Sequence, residues 1–474
     1  MLKPSRYIVS EKNRNGELLL MSILHCTYVK FPQAYADEVL TLMQSAVINE
    51  SVGNLKIIDV LKTNKMLIAS NLDESLLVDA MHKQHVFSND WLYLTILPTN
   101  NCNFRCIYCY EGAGELRCEN MTKNRAGAIA NFLIKCSEEQ RGELILDFVR
   151  KNIRKYKKLR LNWFGGEPLQ QKERVVRMSR EINEICKANK IPLVGMMTTN
   201  GYDLDLETFR SLISNRILSY QVCIDGSKCT HNVQRPHFQN SDSYQKIYSN
   251  LLSIKRNIKS NTFKIVIRAN MTPFVEEHLL GHLEDLASDF GNDKRFSIYF
   301  QGVRDWGGNR ISENAVEIAP DEENYYKKWY DIASEKGLNS ADFIPVGPVT
   351  GLCEANLKNG YLIYYDGSIH KCSLASQDET SKDIDTFGQI EDGGKMIIDN
   401  EKIAKWIVNR VSSENCYNCS LYPICCGGSC PYSKNIKGQK SCLPIKEMIK
   451  AHLRCLDYRN MIPTSLRECE ENHL

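Results

Sequence analysis

Residues 99–110 read Thr-Asn-Asn-Cys-Asn-Phe-Arg-Cys-Ile-Tyr-Cys-Tyr and contain three closely spaced cysteines. These cysteines, Cys102, Cys106 and Cys109, are separated by three and then by two residues. Three thiolates at this spacing can bind one iron–sulfur cube and leave its fourth iron open for another ligand. A zinc site is the alternative, but such sites use four protein ligands in paired spacing, and the next thiol, Cys118, stands alone.

The stretch resembles the Cys-x3-Cys-x-aromatic-Cys signature of the radical S-adenosylmethionine (SAM) superfamily, with Tyr108 as the aromatic residue. The resemblance implies a [4Fe–4S] cluster on Cys102, Cys106 and Cys109, whose open iron is chelated by the amino and carboxylate groups of SAM. It also implies reductive cleavage of SAM to a 5′-deoxyadenosyl radical, so these cysteines are the predicted catalytic ligands.

The composition limits the number of domains, the classes of partner and the expected location of the protein. The chain has 474 residues with a formal net charge of +3, which indicates two to four domains and gives no broad electrostatic case for a nucleic-acid or membrane partner. Its 19 cysteines lie largely in short-spaced groups, a pattern that favours metal binding over disulfides. The first residues lack the apolar core of a signal peptide, so we expect a reducing, cytoplasmic location.

Residues 91–310 alternate apolar runs with helical patterns, which predicts an α/β fold with a parallel sheet. The expected strands cover 92–97, 160–164, 193–199, 220–224, 264–270 and 295–300, and the expected helices cover 174–188, 206–215, 244–258 and 275–289. Six such units match the partial (β/α)6 barrel of the radical SAM fold. The active site is then expected at the carboxyl ends of the strands.

Polar residues at those strand ends are the candidates for binding SAM. Gly165-Gly166-Glu167 follows the second strand, where glycines allow close approach of the backbone and the acid can pair with an ammonium group. In the family this position binds the SAM amino group. The complete set of predicted cofactor-binding residues is Tyr108, Gly165, Gly166, Glu167, Thr199, Asn200, Asp225, Arg235, Arg268 and Asn270.

Residues 1–90 predict a small α+β module, with strands at 7–10, 18–23 and 25–30 and helices at 32–46, 55–67 and 76–82. Many peptide-modifying radical SAM enzymes have a winged-helix-like module here that binds the leader of a precursor peptide by strand addition. The alternative is that the module only caps the barrel. Residues 311–345 are polar and are expected to be a linker.

Residues 346–474 contain a second group of cysteines, eight of them between residues 353 and 442. Their spacing is similar to that of the SPASM domain, which carries two auxiliary [4Fe–4S] clusters; zinc ribbons are the alternative. The resemblance assigns Cys416, Cys419, Cys425 and Cys442 to a distal cluster, and Cys353, Cys372 and Cys430 to a proximal one. Cys425 keeps the family gap from Cys419 while Cys426 keeps the gap to Cys430, so either can be the ligand, with Cys425 preferred.

The proximal set has three cysteines, and a soft thiolate from a substrate cysteine is a natural fourth ligand. Closure by Cys426, Cys455 or another distant cysteine is the alternative.

We therefore predict a radical SAM/SPASM maturase that forms a thioether or another cross-link in a ribosomally made precursor peptide and takes electrons from a donor such as flavodoxin or ferredoxin. The rivals are an anaerobic sulfatase-maturating enzyme, ranked second because Ser373 stands where that family tends to place an acid, and a non-catalytic metal scaffold.

Overall fold

A computed structural model describes most of the chain, including every predicted site residue. The described residues are 1–49, 53–111, 142–305, 310–314, 316, 323–340, 346–377, 385–408, 414–428, 430–438, 442 and 445–466. Cys118 and parts of the expected linker lie outside them. Among the described helices, none has the length and apolar character needed to cross a membrane.

The N-terminal module holds two small antiparallel sheets and three helices. A three-stranded sheet joins β2 to β3 and β3 to β4, and β1 pairs with β5. The elements are β1 (Leu2–Pro4), β2 (Ile8–Lys12), β3 (Leu18–Ser22), β4 (Thr27–Phe31), α1 (Gln33–Gln44), α2 (Leu55–Thr63), β5 (Leu67–Ala69) and α3 (Glu74–Phe87). The prediction that α2 continues to Leu67 was wrong, because Lys65 adopts a left-handed conformation with φ of 56° and the chain turns into β5.

Six parallel strands form the centre of the molecule, which confirms the predicted fold class. They are β6 (Trp91–Leu97), β7 (Lys158–Trp163), β8 (Leu193–Thr199), β9 (Ile217–Cys223), β10 (Lys264–Met271) and β11 (Phe296–Gly302). Their helices are α4 (residues 142–152), α5 (Lys172–Ala188), α6 (Leu206–Ser214), α7 (Lys228–Gln234), α8 (Ser243–Asn257), α9 (Pro273–Glu277) and α10 (Leu279–Phe290). The expected helix at 275–289 is thus two helices, with the break at His278.

Residue alternation along the strands separates a core from a lumen. On β7, Leu159, Leu161 and Trp163 are fully buried, whereas Arg160 and Asn162 between them are only partly buried. Because successive side chains of a strand point to opposite faces, the apolar set faces the helices and the polar set lines the lumen.

The parallel sheet continues into the C-terminal part of the chain. Strand β12 (Gly360–Tyr364) pairs in parallel with β6, and antiparallel pairing adds β13 (Ser368–His370), β14 (Gly388–Glu391) and β15 (Lys395–Ile398). The turn between β12 and β13 contains Asp366 and Gly367, whose φ of 79° suits glycine, as expected for the predicted hairpin.

The remaining α-helices of the described residues follow β11 in the chain. They are α11 (Arg310–Glu313), α12 (Glu323–Glu335), α13 (Ser373–Gln377), α14 (Asn400–Ile407), α15 (Tyr422–Cys425) and α16 (Ile445–Tyr458). Helix α12 buries Trp329 and Tyr330 and packs along α16, which also touches β2 and β3 of the N-terminal module. The described part of the expected linker is therefore a packed helix, because aromatic residues among its charges form a core-facing stripe.

Candidate active site

The cysteine loop after β6 is fixed by main-chain hydrogen bonds to the segment that follows α7. The amide of Arg105 donates to the carbonyl of Pro236 at 2.8 Å, and the amide of Ile107 donates to the carbonyl of Gln234 at 3.0 Å. Phe104 is buried beneath the loop, with its ring edge-on to His237. These contacts fix the position of the loop.

Cys102, Cys106 and Cys109 line one cavity of about 210 Å³ at the carboxyl ends of the barrel strands. Burial raises the pKa of Cys106 to about 12, although Arg235 nearby opposes this effect. Among the described residues, no group of three His, Cys, Asp or Glu side chains can hold a single metal ion. Ligands of a four-iron cluster bind different iron atoms and need not converge on one point, so three thiols around one cavity are compatible with a cluster.

Tyr108 ties the cysteine loop to the ends of β9 and β10. Its hydroxyl donates to the Asp225 carboxylate, and accepts hydrogen bonds from Arg235 Nη1 and from Asn270 Nδ2, both at 2.9 Å. Burial raises the pKa of Tyr108 well above its usual value, so the phenol stays protonated and can donate. Four of the predicted cofactor-binding residues thus form one network.

The Gly165-Gly166-Glu167 turn packs against the start of the cysteine loop. A Cβ on Gly166 would lie 2.4 Å from the carbonyl oxygen of Asn101, so glycine is required by contact within the protein. This differs from the reason inferred from sequence, which was approach to a ligand.

Glu167 is almost fully buried and joins the ends of β7 and β8. Its carboxylate accepts hydrogen bonds from the amide of Asn200 at 2.6 Å, the hydroxyl of Thr199 at 2.7 Å and the amide of Leu169 at 3.0 Å. Burial outweighs these bonds and raises its pKa to about 7. Its predicted role toward an ammonium group stays a prediction.

The cavity wall retains unfilled hydrogen-bonding capacity that fits SAM. Arg235 Nε is buried and has no partner among the described residues. Arg268 lines the same cavity, and its Nε donates to Asn270 Oδ1 at 2.9 Å. Guanidinium groups bind carboxylates well, so these two residues suit an anionic end of a ligand beside the three thiols.

The three predicted proximal ligands also come together. Burial raises the pKa of Cys353 to about 11, and the neighbouring Cys430 thiol adds to this effect. Cys372 in turn has its pKa raised by burial and by Cys353. Cys372 and Cys430 both pack against Ala355, Ala375, Trp406 and Tyr432.

The structure places Cys425 and Cys426 in different surroundings. Burial raises the pKa of Cys425 to about 11, with smaller contributions from Cys419, Cys416 and Cys442. Cys426 adopts a left-handed conformation with φ of 48°, and its thiol instead lies near Pro423 O and Asp79. The geometry therefore groups Cys425 with the other three distal cysteines. Cys455 lies elsewhere, on α16, where its thiol accepts hydrogen bonds from Ser334 of α12 and from Ser340, so it cannot complete the proximal set.

Sequence reasoning missed three residues that hold the proximal loop. Asp385 is fully buried and accepts hydrogen bonds from the amides of Lys371 and Cys372 at 3.1 and 3.2 Å. The Lys371 ammonium is buried and donates to the carbonyls of Leu357 and Gly360. Neither residue lies in a recognisable motif, because their roles arise from tertiary contacts. The third, Tyr110, was overlooked although it directly follows Cys109.

Tyr110 bridges the two cysteine groups. Its hydroxyl lies 3.2 Å from that of Ser373, the residue after Cys372. Burial raises the pKa of Tyr110, and both Cys109 and Cys372 contribute to this effect. The first cysteine site and the proximal site are therefore neighbours.

Comparison with protein families gives one match, in which residues 96–286 match the Radical SAM superfamily. Among curated proteins, the chain is similar to a cysteine-type anaerobic sulfatase-maturating enzyme of Clostridium novyi (strain NT), with 22% identity over 359 residues, covering 71% of this chain and 87% of that protein. It also shares 27% identity over 118 residues with an S-adenosylmethionine-dependent nucleotide dehydratase of Pseudoalteromonas ulvae, covering 25% of this chain and 35% of that protein.

Among solved structures, the fold is similar to the one described as "Native anSMEcpe with bound AdoMet". The TM-score is 0.50 with 16% sequence identity, and the match covers 78% of this chain and 100% of that chain. This likeness supports the barrel architecture.

Proposed function

The chain is an enzyme with a radical SAM domain at residues 96–286, and from this premise we propose that it is a peptide maturase. Its substrate is a ribosomally made precursor peptide, in which it links a cysteine sulfur to a carbon atom or forms another cross-link. The domain alone establishes SAM-dependent radical chemistry with a [4Fe–4S] cluster. We add the substrate, a precursor peptide, and the type of product, a cross-link.

Cys102, Cys106 and Cys109 would hold the cluster, and the cavity beside them would hold SAM. When bound, this pair supplies a carbon-centred radical that can remove a hydrogen atom from a substrate. The protein's part is to orient and to exclude water. Arg235 and Arg268 present guanidinium groups to an anionic end, while the Tyr108 network fixes the loop that carries the thiols.

One observation carries the choice of a cross-linking reaction, namely the three-thiol set of Cys353, Cys372 and Cys430 next to the cavity. Three protein thiols leave one position of a four-iron cluster for an external ligand, and a substrate cysteine thiolate is soft enough to take it. The contact of Tyr110 with Ser373 supports the proposal, because it keeps this set beside the site where the radical is formed.

The test is mass spectrometry of a short cysteine-containing peptide, encoded near this gene and co-expressed with the enzyme under anaerobic conditions. We expect the peptide to lose two hydrogens per link, with fragmentation blocked between the linked residues. A chain with Cys102, Cys106 and Cys109 all replaced by alanine is the control and should leave the peptide unmodified. Unmodified peptide from an iron-loaded enzyme that makes 5′-deoxyadenosine would contradict the cross-linking proposal.

Sulfatase maturation is the second candidate, and the similarity to the Clostridium novyi protein favours it. That reaction oxidises a cysteine or serine to an aldehyde. In this chain Ser373 follows Cys372, and the carboxylate of Asp385, which contacts the Cys372 amide, is occupied by main-chain amides and by His370. A carbonyl-reactive hydrazide would label the product of this reaction but not a thioether.

We also propose that the N-terminal module binds the leader of the precursor peptide and that flavodoxin or ferredoxin supplies electrons. The antiparallel β2–β3–β4 sheet supports the first point, because a peptide can add a strand to an outer strand of such a sheet. Reductive cleavage requires a one-electron donor, which supports the second. Omitting the electron donor from a reaction reconstituted with flavodoxin or ferredoxin, NADPH and the donor's reductase should abolish 5′-deoxyadenosine formation.

A further inference from the structure

The outer edge of β4 is paired with the chain's own C-terminal segment. Lys30 donates its amide proton to the carbonyl of Pro463 at 3.0 Å, and its carbonyl accepts from the amide of Ser465 at 2.9 Å. Thr464 lies opposite Lys30 in a parallel bridge. Residues 462–466, which we name the strap, therefore make a single parallel bridge to the outer edge of this sheet.

The strap is anchored at both ends by apolar side chains. Ile462 is 5% exposed within the main core. Leu466 packs against the core of the N-terminal module, which includes Leu20, Val29 and Phe31. Helix α16 delivers the strap by a left-handed turn at Asn460, with φ of 53°, where the Met461 amide bonds back to the Leu456 carbonyl.

Proline limits the strap to a single rung of pairing. In a parallel ladder the next hydrogen bond would run from residue 463 to the outward carbonyl of Tyr28, but Pro463 has no amide proton. Among the described residues no main-chain partner of Tyr28 is seen on that side. The edge can thus make more bonds than the strap supplies.

We propose that the β4 edge is a binding site for an extended peptide that runs parallel to the strand, with apolar side chains four positions apart, and that the strap occupies it in the free enzyme. The strap itself defines this partner, since Ile462 and Leu466 have that spacing and fill the two ends of the site. The proposal rests on the proposed function, in which the partner is part of the peptide substrate.

A tethered strap competes strongly with a peptide in solution, because the tether gives it a high effective concentration. The peptide's apparent affinity equals its intrinsic affinity multiplied by the fraction of molecules in which the edge is open. A partner with an amide proton in place of Pro463 gains one main-chain bond, which corresponds to an affinity gain of about fivefold.

The experiment uses the full chain and a fluorescein-labelled synthetic peptide of residues 459–468 that carries Pro463→Thr. Anisotropy titrations compare the wild type with Ser465→Pro, which removes the amide that bonds to Lys30, and with Ser465→Ala, which keeps it. We expect about fivefold tighter binding to Ser465→Pro than to Ser465→Ala. The chain variant Pro463→Thr should tighten the strap and weaken peptide binding by a similar factor.

Hydrogen exchange gives a second measurement that does not depend on the peptide. The Lys30 amide should exchange faster in Ser465→Pro and slower in Pro463→Thr than in the wild type. Lys30→Pro, which removes the outward amide of an edge strand, should abolish peptide binding in the Ser465→Pro background.

Equal peptide affinity across these variants, or binding that survives Lys30→Pro, would overturn the proposal. The same samples are assayed for 5′-deoxyadenosine. If the wild type makes none, the proposed function fails; if all variants make it but the affinities do not follow the expected order, the strap proposal alone fails.

Discussion

The hydroxyl of Tyr110 lies 3.2 Å from the hydroxyl of Ser373. These residues directly follow Cys109 and Cys372, so one contact joins the first cysteine loop to the loop of the proximal set. The chain thereby fixes the distance between two cysteine sets that are more than 260 residues apart in sequence.

Removing this contact should weaken the enzyme without loss of iron. We expect Tyr110→Phe and Ser373→Ala each to lower the rate of 5′-deoxyadenosine formation by up to about fivefold, the value of one hydrogen bond. Because both changes remove the same bond, the double variant should be no slower than the slower single variant. Chromatography of 5′-deoxyadenosine measures all three rates, and additive losses would show that the residues act independently.

Cys425 and Cys426 should differ in iron content. We expect Cys425→Ala to lose about four iron atoms per chain, because Cys425 is the proposed ligand of the distal cluster. Cys426→Ala should keep the iron of the wild type, since its thiol lies near Pro423 and Asp79 instead. Iron and sulfide analysis after anaerobic reconstitution measures both; the reverse result would reassign the ligand.

Gly166→Ala should abolish SAM cleavage. The added Cβ would lie 2.4 and 2.6 Å from the carbonyl oxygens of Asn101 and Asn100, which forces the turn away from the cysteine loop. Gly281→Ala is the matched control, because a Cβ there meets open space on helix α10. It should leave activity intact and stabilise the helix by up to about 1 kcal/mol. An active Gly166→Ala variant would contradict the packing described for this turn.

His282 should make the fold sensitive to acid. Burial lowers its pKa from 6.5 to about 3, and neither ring nitrogen has a hydrogen-bond partner among the described residues. Because the folded-state pKa lies below the unfolded one, stability present above pH 6.5 is lost as pH falls toward 3. The loss is about 2 kcal/mol by pH 5.

His282→Phe should therefore reduce the fall in melting temperature between pH 7 and pH 5. His278→Phe is the control, since that ring is more exposed and lies just before the same helix. Part of the fall should persist in His282→Phe, because burial also lowers the pKa of His231. Identical melting shifts in the wild type and His282→Phe would show that His282 is not the acid-sensitive group.

The barrel could be predicted from the sequence because its strands are short apolar runs that alternate with amphipathic helices. The predicted strand at 193–199 matches β8, and the ends of the others differ by a few residues. The addition of β12 beside β6 could not be predicted, because nothing local in residues 360–364 specifies a partner more than 260 residues away. The strap was missed for the same reason.

Part of the candidate site could also be predicted from the sequence, and part could not. Cysteine spacing and strand-end position identified residues that the structure places around one cavity. Spacing could not choose between Cys425 and Cys426, because the decision depends on a left-handed turn at Cys426. Asp385 and Tyr110 act through contacts with distant parts of the chain, which a single sequence does not contain.

The shared sheet also limits how this enzyme can be divided. β6 has β7 on one side and β12 on the other, so a fragment ending near residue 310 would expose one flank of a long, apolar strand to solvent. Such a fragment would tend to self-associate through that flank. When C-terminal regions are exchanged between relatives, we therefore expect hybrids that do not self-associate only if β12 and the barrel come from the same protein.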